Sequence, residues 1–119
     1  MGKRILIVED DRFSAEVLKM LLKSLNLDCD IASTGLECCE LLESSPNHYD
    51  IVLMDFWMPD MNGLEATRCI KELNLGNIRR IVGVTGDSDS ETHRKGLDAG
   101  MDEVIVKPVG KDILRRVTQ

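Results

Sequence analysis

Short apolar runs alternate with segments of helical periodicity along the whole chain of 119 residues. The clearest runs are residues 5–8, 51–54, 81–84 and 104–106, and each is followed by a polar residue. The first three are continuously apolar, which is typical of strands that are covered on both faces. Residues 28–32 form a weaker run. The pattern therefore predicts five strands of a largely buried sheet.

A helical segment follows each apolar run. The first is predicted from about Ser14, as N-cap, to Leu25, and its apolar positions at helical spacing are Val17, Leu18, Leu21, Leu22 and Leu25. Further helices are predicted over residues 36–43, with Leu41 and Leu42 facing inward, over 64–73, over 90–99 before Gly100, and from about residue 111.

Five strand–helix units of this size predict an α/β fold, with a doubly wound parallel sheet and helices on both faces. We expect the strand order 2-1-3-4-5, because it places strands 1 and 3 side by side at the switch point. No linker, repeat or low-complexity segment divides the chain, so residues 1–119 are expected to form one domain.

Charge and composition exclude several classes of function. The formal net charge of −6 gives no general attraction to a phosphate backbone, so nucleic-acid binding is not expected. The first apolar run is too short for a secretion signal, and no run has the length of a membrane span. Four cysteines occur without a C-x-x-C pair, which predicts reduced thiols that only pack. We therefore expect a cytoplasmic protein without membrane insertion.

Polar side chains follow four of the five predicted strands: the acidic run 9–11, Asp55, Thr85 and Lys107. In a parallel sheet these strand ends share one edge, where open α/β sheets bind their ligands. Two carboxylates ~4 Å apart repel by roughly 4 kcal/mol at an effective dielectric constant of ~20, unless a cation lies between them. Hard oxygen ligands of this kind favour Mg²⁺, and Mn²⁺ could substitute for it.

Such a site suits phosphoryl transfer. A carboxylate beside a divalent cation can attack a phosphoryl group to give an aspartyl phosphate. Lys107 would neutralise charge on the phosphoryl oxygens, the Thr85 hydroxyl could bond one of them, and Gly86 would leave room for the group.

Each of these residues has a simpler explanation when it is considered alone. A single Asp at a strand end usually starts a turn or caps a helix, and a single Lys-Pro usually lies in a surface turn. The acidic run 9–11 could serve only to stabilise the first helix through its dipole. The ordered occurrence of all of them, each at a strand end, favours a shared site.

The combined motifs resemble the receiver family of two-component signalling from Ile5 to about Leu114. The matching segments are Ile-Leu-Ile-Val-Glu-Asp-Asp at 5–11, Asp-Ile-Val-Leu-Met-Asp-Phe-Trp-Met-Pro at 50–59, Asn-Gly at 62–63, Val-Thr-Gly at 84–86, Ala-Gly at 99–100 and Val-Lys-Pro at 106–108. The resemblance implies a flavodoxin-like (βα)5 sheet of order 2-1-3-4-5 and a role in a phosphorelay.

By position, the resemblance also implies a role for each site residue. Asp55 matches the phosphoacceptor, Thr85 the switch hydroxyl, and Lys107 the phosphate-binding lysine, whose bond to Pro108 is often cis in this family. The implied metal ligands are Glu9 (through a water), Asp10, Asp55 and the backbone carbonyl of Trp57.

Three positions depart from the family pattern. Val104 stands where many receivers carry an aromatic that turns inward with the threonine, which leaves that two-residue switch without its second partner. Val109 replaces the aromatic that commonly follows Lys-Pro. Trp57 is unusually bulky beside the site, and it is either an exposed ring without a role or a shield that slows hydrolysis of the phosphoryl group.

The expected function is that of a phosphoacceptor module. It would take a phosphoryl group from a histidine kinase or a histidine phosphotransfer protein and switch the surfaces that a downstream protein target binds. It would dephosphorylate itself slowly, without being a conventional turnover enzyme. The alternative is a degenerate receiver that only binds partners. Whether the chain acts alone or belongs to a hybrid kinase stays open.

Two alternative functions, that of a phosphatase and that of a flavin-binding protein, are disfavoured. An aspartate-dependent phosphatase would carry its nucleophile after the first strand, and a flavin-binding relative would carry a phosphate loop there. His48 and His93 are expected to be surface residues.

Overall fold

The computed structural model describes residues 4–119. Within that range the elements are β1 (Arg4–Val8), α1 (Arg12–Ser24), β2 (Asp28–Ala32), α2 (Gly35–Ser44), β3 (Ile51–Asp55), α3 (Gly63–Glu72), β4 (Arg80–Thr85), α4 (Ser90–Ala99), β5 (Glu103–Val106) and α5 (Lys111–Val117). All neighbouring strands are parallel and lie in the order β2-β1-β3-β4-β5. The predicted fold class and strand order are confirmed, and most element ends differ only slightly from prediction.

Side chains alternate across the sheet, so its two faces build two separate cores. Ile5 and Ile7 of β1 pack with residues of α1 and α5, whereas Leu6 and Val8 pack with residues of α2, α3 and α4. β3 is buried over its whole length. Burial on both faces therefore explains the continuous apolar runs in the sequence.

Helix α1 begins earlier than predicted, and Ser14 is not its N-cap. The cap is Asp11, whose carboxylate accepts the N–H of Phe13 at 3.2 Å and the hydroxyl of Ser14 at 2.8 Å. An aspartate there satisfies a free helix N–H and also places negative charge at the positive end of the helix dipole. The start of α1 is thus fixed by the acidic run that follows β1.

Val17 does not lie on the buried face of α1, where its spacing predicted it. It is 38% exposed, because the buried stripe of the helix consists of Ala15, Leu18 and Leu22. On α2, Leu42 is buried and Leu41 packs partly buried against the same core, as predicted. Gly100 ends α4 with a left-handed φ of 117°, also as predicted.

Phe56, the residue after β3, connects that strand to α4. Its ring is fully buried and fills the space that two glycines leave between β4 and α4. A Cβ on Gly83 would lie 2.7 Å from Cε1 of Phe56, and a Cβ on Gly96 would lie 2.7 Å from its Cζ and 2.8 Å from Cγ2 of Val104. Neither glycine can carry a side chain unless the ring moves.

The remaining expectations concern isolated residues. The four cysteines are free, with Cys38 and Cys39 buried on α2 and Cys29 and Cys69 partly buried on β2 and α3. His48 is exposed, as predicted, whereas His93 is partly buried. No helix among residues 4–119 is long and apolar enough to cross a membrane.

Candidate functional site

The strand register brings the polar residues at the strand ends to one edge of the sheet. β1 pairs with β3 so that Glu9 lies level with Asp55. β5 pairs with β4 so that Lys107 comes one residue after the partner of Thr85. The N–H of Lys107 donates to the carbonyl of Thr85 at 2.8 Å, which extends this ladder into the loop. Residues almost a hundred positions apart in sequence therefore share one pocket.

Lys107 bridges the two buried carboxylates of the pocket. Its ammonium donates to Oε1 of Glu9 at 3.0 Å and lies 3.2 Å from Oδ1 of Asp55. Burial lowers the pKa of Lys107, but the hydrogen bond to Glu9 and the charge of Asp55 outweigh it and raise the pKa above its usual value. The bond from Lys107 to Pro108 is cis, as the resemblance implied.

Three carboxylates converge in this pocket, and Lys107 contacts two of them. Glu9 and Asp55 are buried and Asp10 is exposed, and one oxygen from each lies within 4.8 Å of the others. Burial, together with the hydrogen bond to Glu9 and its charge, raises the pKa of Asp55 to about 7, although Lys107 opposes the shift. The single positive charge of Lys107 therefore does not neutralise the three carboxylates.

The donor set fits a small, hard divalent cation. At 4.8 Å two carboxylates repel by about 3.5 kcal/mol at an effective dielectric constant of ~20, and a cation between them reverses that sign. All three candidate ligands offer oxygen, and the exposure of Asp10 leaves one side of the site open to solvent. Mg²⁺ binds in this way, with few carboxylates and several waters.

Thr85 lies at the end of β4 beside the acidic cluster. It is 1% exposed, and its Oγ1 accepts the N–H of Asp87 at 3.1 Å. Because the oxygen is the acceptor in this bond, the hydroxyl hydrogen remains available to donate toward the pocket. A Cβ on the neighbouring Gly86 would meet no atom within 4 Å, so that side of the pocket is open.

The loop after Asp55 returns tightly to the strand it leaves. The N–H of Gly63 donates to the carbonyl of Phe56 at 2.7 Å, and a Cβ on Gly63 would overlap the carbonyl oxygen of Asp55. Asn62 and Glu65 then form a capping box that starts α3. This close approach fixes the backbone that carries the Asp55 carboxylate.

Trp57 lies in the same loop and keeps 54% of its surface exposed. Its ring stands edge-on to that of Phe56, with ring centroids 6.2 Å apart. The exposed ring is compatible with both interpretations of Trp57, as a ring without a role and as a shield over the phosphoryl group. The role of its backbone carbonyl as a metal ligand stays a prediction.

An apolar groove beside the pocket was not predicted. It has a volume of about 350 Å³, and Glu9 and Lys107 line it together with Phe13, Ser14, Val17, Leu18, Val84, Pro108 and Val109. Phe13 is 77% exposed and Met20 is 70% exposed on the same helix. The sequence does contain a signal for this groove. Phe13, Val17 and Met20 form a second apolar stripe on α1, with helical spacing but outside the stripe that faces the core.

The fold and the site define an α/β protein with an acidic pocket at the carboxyl edge of a doubly wound sheet. A profile described as the response regulator receiver domain matches residues 5–119. The chain belongs to this family, whose members are phosphoacceptors in two-component signalling.

The sensor histidine kinase RcsC of Escherichia coli is 36% identical to this chain over 112 residues, which is 94% of this chain and 11% of RcsC. The chain thus spans about a tenth of the length of that relative.

Solved structures agree with this assignment. The receiver domain of the sensor histidine kinase PA1611 from Pseudomonas aeruginosa, with magnesium coordinated in its active site cleft, is 29% identical with a TM-score of 0.88, covering 100% of this chain and 96% of that one. A chain of the Saccharomyces cerevisiae complex of the phosphotransfer protein Ypd1 with the Ssk1 receiver domain has a TM-score of 0.89 at 22% identity, covering 98% and 86%. The second likeness establishes the fold alone.

Proposed function

We propose that Asp55 accepts a phosphoryl group from a phosphohistidine in a magnesium-dependent reaction. The observation that carries this proposal is the convergence of Glu9, Asp10 and Asp55 at the switch point of the sheet, with the ammonium of Lys107 in contact with Glu9 and Asp55. A structural role alone does not account for three carboxylates held so close together, because their mutual repulsion destabilises the folded chain.

The transfer itself follows from the geometry of the pocket. An Asp55 carboxylate oxygen attacks phosphorus, the new O–P bond forms, and the P–N bond to the donor imidazole breaks. Lys107 is positioned to move its charge toward the phosphoryl oxygens while it keeps its hydrogen bond to Glu9. The Thr85 hydroxyl donates to one phosphoryl oxygen after transfer.

Mg²⁺ would supply positive charge to the phosphoryl oxygens and hold them beside the carboxylate. Asp10 and Asp55 would hold the ion, with Glu9 acting through a water and Trp57 through its carbonyl, and Mn²⁺ suits the same ligands. The magnesium in the cleft of the PA1611 receiver domain supports this choice of metal.

The donor is inferred to be a histidine kinase or a histidine phosphotransfer protein. RcsC is a sensor histidine kinase, and the Ssk1 receiver domain is found in complex with a phosphotransfer protein. The donor must cover the pocket to bring its imidazole to Asp55, so it must also cover the apolar groove that shares Glu9 and Lys107 with the pocket. We infer that Phe13 and Val17 contact the donor there.

The output is inferred to be a change in the surfaces around β4 and β5 that a downstream protein binds. Thr85 and Lys107 end these strands, so a phosphoryl group on Asp55 acts on both at once. Residues 1–119 would act as a single cytoplasmic receiver domain whose only turnover is the slow loss of its own phosphate.

Labelling of Asp55 tests the proposal. The chain is incubated with a phosphohistidine donor or a small phosphoramidate, with magnesium or with a chelator. We expect an acid-stable, base-labile label on Asp55 that requires magnesium and disappears in Asp55→Asn. Asp60→Asn, a matched change at an exposed aspartate, should keep it. A label on another residue refutes the proposal, and no label at millimolar magnesium favours the binding-only alternative.

The groove is tested with two kinds of donor. Phe13→Ala should slow transfer from a phosphotransfer protein by roughly tenfold, the loss expected for one exposed aromatic contact. Labelling by a small phosphoramidate should be unchanged, because that donor does not contact the groove. Leu73→Ala, which removes a 63% exposed side chain on another face, is the control. Equal effects on both kinds of donor contradict the assignment.

A further inference from the structure

The loop between β4 and α4, residues 86–89, is connected to both of its neighbours by hydrogen bonds. At its start, the backbone N–H of Asp87 donates to Oγ1 of Thr85 at 3.1 Å. On the other side, Nε2 of His93 lies 3.3 Å from the carbonyl oxygen of the same Asp87. A carbonyl oxygen only accepts hydrogen bonds, so Nε2 is the ring nitrogen that carries hydrogen and donates it. A single residue of the loop therefore joins the hydroxyl of Thr85 to a side chain of α4.

Helix α4 is weakly anchored at its beginning. Its buried residues, Gly96 and Ala99, lie in its second half, and its first six residues are all polar or charged. Asp89 caps the helix by accepting the N–H of Thr92 at 2.6 Å, but this bond moves with the helix and does not attach it to the sheet. His93 is partly buried one turn before Gly96, on the same face of the helix. A segment with few buried apolar contacts shifts at low cost, so one hydrogen bond is enough to bias its position.

Val104 of β5 is poorly suited to pass a movement of Thr85 on to α4. Its Cγ2 lies 2.8 Å from the position of a Cβ on Gly96, so it packs directly under the second half of the helix. A valine side chain has no polar atom and is stiff at its first torsion, so it forms no hydrogen bond and has little freedom to turn between two positions. A movement of Thr85 therefore needs another route to α4, and the two hydrogen bonds of Asp87 provide one.

We propose that His93 is a positioning residue that couples α4 to the phosphoacceptor through the β4–α4 loop. The inference rests on the proposed function, since it starts from a phosphoryl group on Asp55. When the Thr85 hydroxyl donates to that group, its oxygen moves toward the pocket and the N–H of Asp87 follows it. The carbonyl of Asp87 moves with the loop, and the His93 ring that is bonded to it carries the first turns of α4 along. The result is a shift of α4 that does not depend on residue 104.

Nuclear magnetic resonance of the backbone amides tests the coupling, with magnesium and beryllium trifluoride as a mimic of the phosphoryl group on Asp55. In the natural chain we expect chemical-shift changes at Thr85 and Gly86 and in the first turns of α4. His93→Leu removes the donor and keeps a side chain of similar size, so it should lose most of the change in α4 and keep the change at Thr85. His93→Gln keeps an N–H donor at a similar reach and should restore the change in α4. Leucine and glutamine both suit a helix, so rescue by glutamine alone identifies the hydrogen bond.

Three controls establish the route. Arg94→Leu makes a similar change at an exposed neighbour on the same helix, and it should leave the α4 response in place. Val104→Ala shortens the side chain under α4 and should also leave the response in place. Labelling of Asp55 by a small phosphoramidate should proceed at the natural rate in His93→Leu, because His93 lies outside the acidic cluster.

Several outcomes overturn the inference: an unchanged α4 response in His93→Leu, equal losses in His93→Leu and His93→Gln, slowed labelling of Asp55 in His93→Leu, or loss of the response in Val104→Ala. A natural chain that responds at Thr85 but not in α4 overturns this inference alone. A natural chain that responds at neither place overturns the proposed function as well, so the two failures are distinguishable.

If His93→Leu does not fold, the ring nitrogen signals of His93 in the natural chain decide the question. At a pH above the ordinary titration range of histidine, Nε2 should carry the hydrogen, and its signal should change when the phosphoryl mimic is added. A ring that carries its hydrogen on Nδ1, or an Nε2 signal that does not change, overturns the inference.

Discussion

Asp55→Asn should stabilise the fold in the absence of a divalent cation. The substitution keeps the shape of the side chain and removes its charge from a buried pocket in which Asp55 is 7% exposed. Ionised Asp55 meets repulsions of about 3.5 kcal/mol each from Glu9 and Asp10, against an attraction of about 5 kcal/mol to Lys107, all at an effective dielectric constant of ~20. About 2 kcal/mol therefore opposes ionisation before burial is counted.

Burial adds to this cost. A rise of the pKa of Asp55 from 3.8 to about 7 corresponds to roughly 4 kcal/mol. We therefore expect the metal-free Asn variant to be about 2 to 4 kcal/mol more stable than the natural protein at pH 8.

The gain in stability of Asp55→Asn over the natural protein should increase as the pH rises. Below pH 3.8 the carboxyl is protonated in both the folded and the unfolded chain, so its charge costs nothing. Between pH 3.8 and about 7 the unfolded chain ionises first, and the natural protein loses stability as the pH rises. The difference between variant and natural protein should thus be near zero at pH 4 and complete at pH 8.

Urea unfolding followed by far-ultraviolet circular dichroism, with a chelator present, measures this difference at both pH values. Asp60→Asn should change nothing at either pH, because Asp60 is exposed and lies outside the acidic cluster. Millimolar magnesium should stabilise the natural protein and have little effect on Asp55→Asn. An Asn variant that is less stable at pH 8, or a gain of the same size at pH 4, would refute the electrostatic reasoning.

Three further predictions address the phosphoacceptor site. Lys107→Met should slow labelling by a small phosphodonor by about 10²-fold, because it removes the ammonium that faces the transferred group. Gly63→Ala should destabilise the fold by about 1–3 kcal/mol in urea unfolding, because its Cβ overlaps the backbone of Asp55, whereas Gly86→Ala should be tolerated. Trp57→Ala should shorten the lifetime of the phosphorylated protein if the ring shields the phosphoryl group, and an unchanged rate of label loss would remove that role.

Much of the fold was predictable because the local sequence of each element indicates whether it forms a strand or a helix. Ile51–Asp55 is apolar without interruption, which indicates a strand that is buried on both faces, and Asp28–Ala32 and Ser90–Ala99 were located to the residue. The strand order came from the resemblance to a known family and from the switch-point argument, since periodicity carries no information about neighbours. The start of α1 was misplaced because Asp11 was read as part of the acidic run and not as its cap.

The sequence predicted which residues form the site but not the distances between them. Strand ends of a parallel sheet coincide, so Glu9, Asp55 and Lys107 could be expected to meet. Their distances and the shared ammonium depend on side-chain packing that the sequence does not encode locally. Cys39 and Cys69 were predicted only as core thiols, and both pack against the same core.

The ring of Phe56 has a consequence for how this domain can be recombined with its relatives. Gly83, Gly96 and Val104 come from β4, α4 and β5, and Met101 comes from the loop between α4 and β5. A Cβ on either glycine would meet both the Phe56 ring and Met101. A chimera that takes only α4 from a relative would bring a helix whose surface packs against that relative's own side chain at position 56. Against Phe56 it would leave either a void or a steric overlap. Only a transplant that carries residue 56 along with its surroundings would preserve the spacing between helix and sheet.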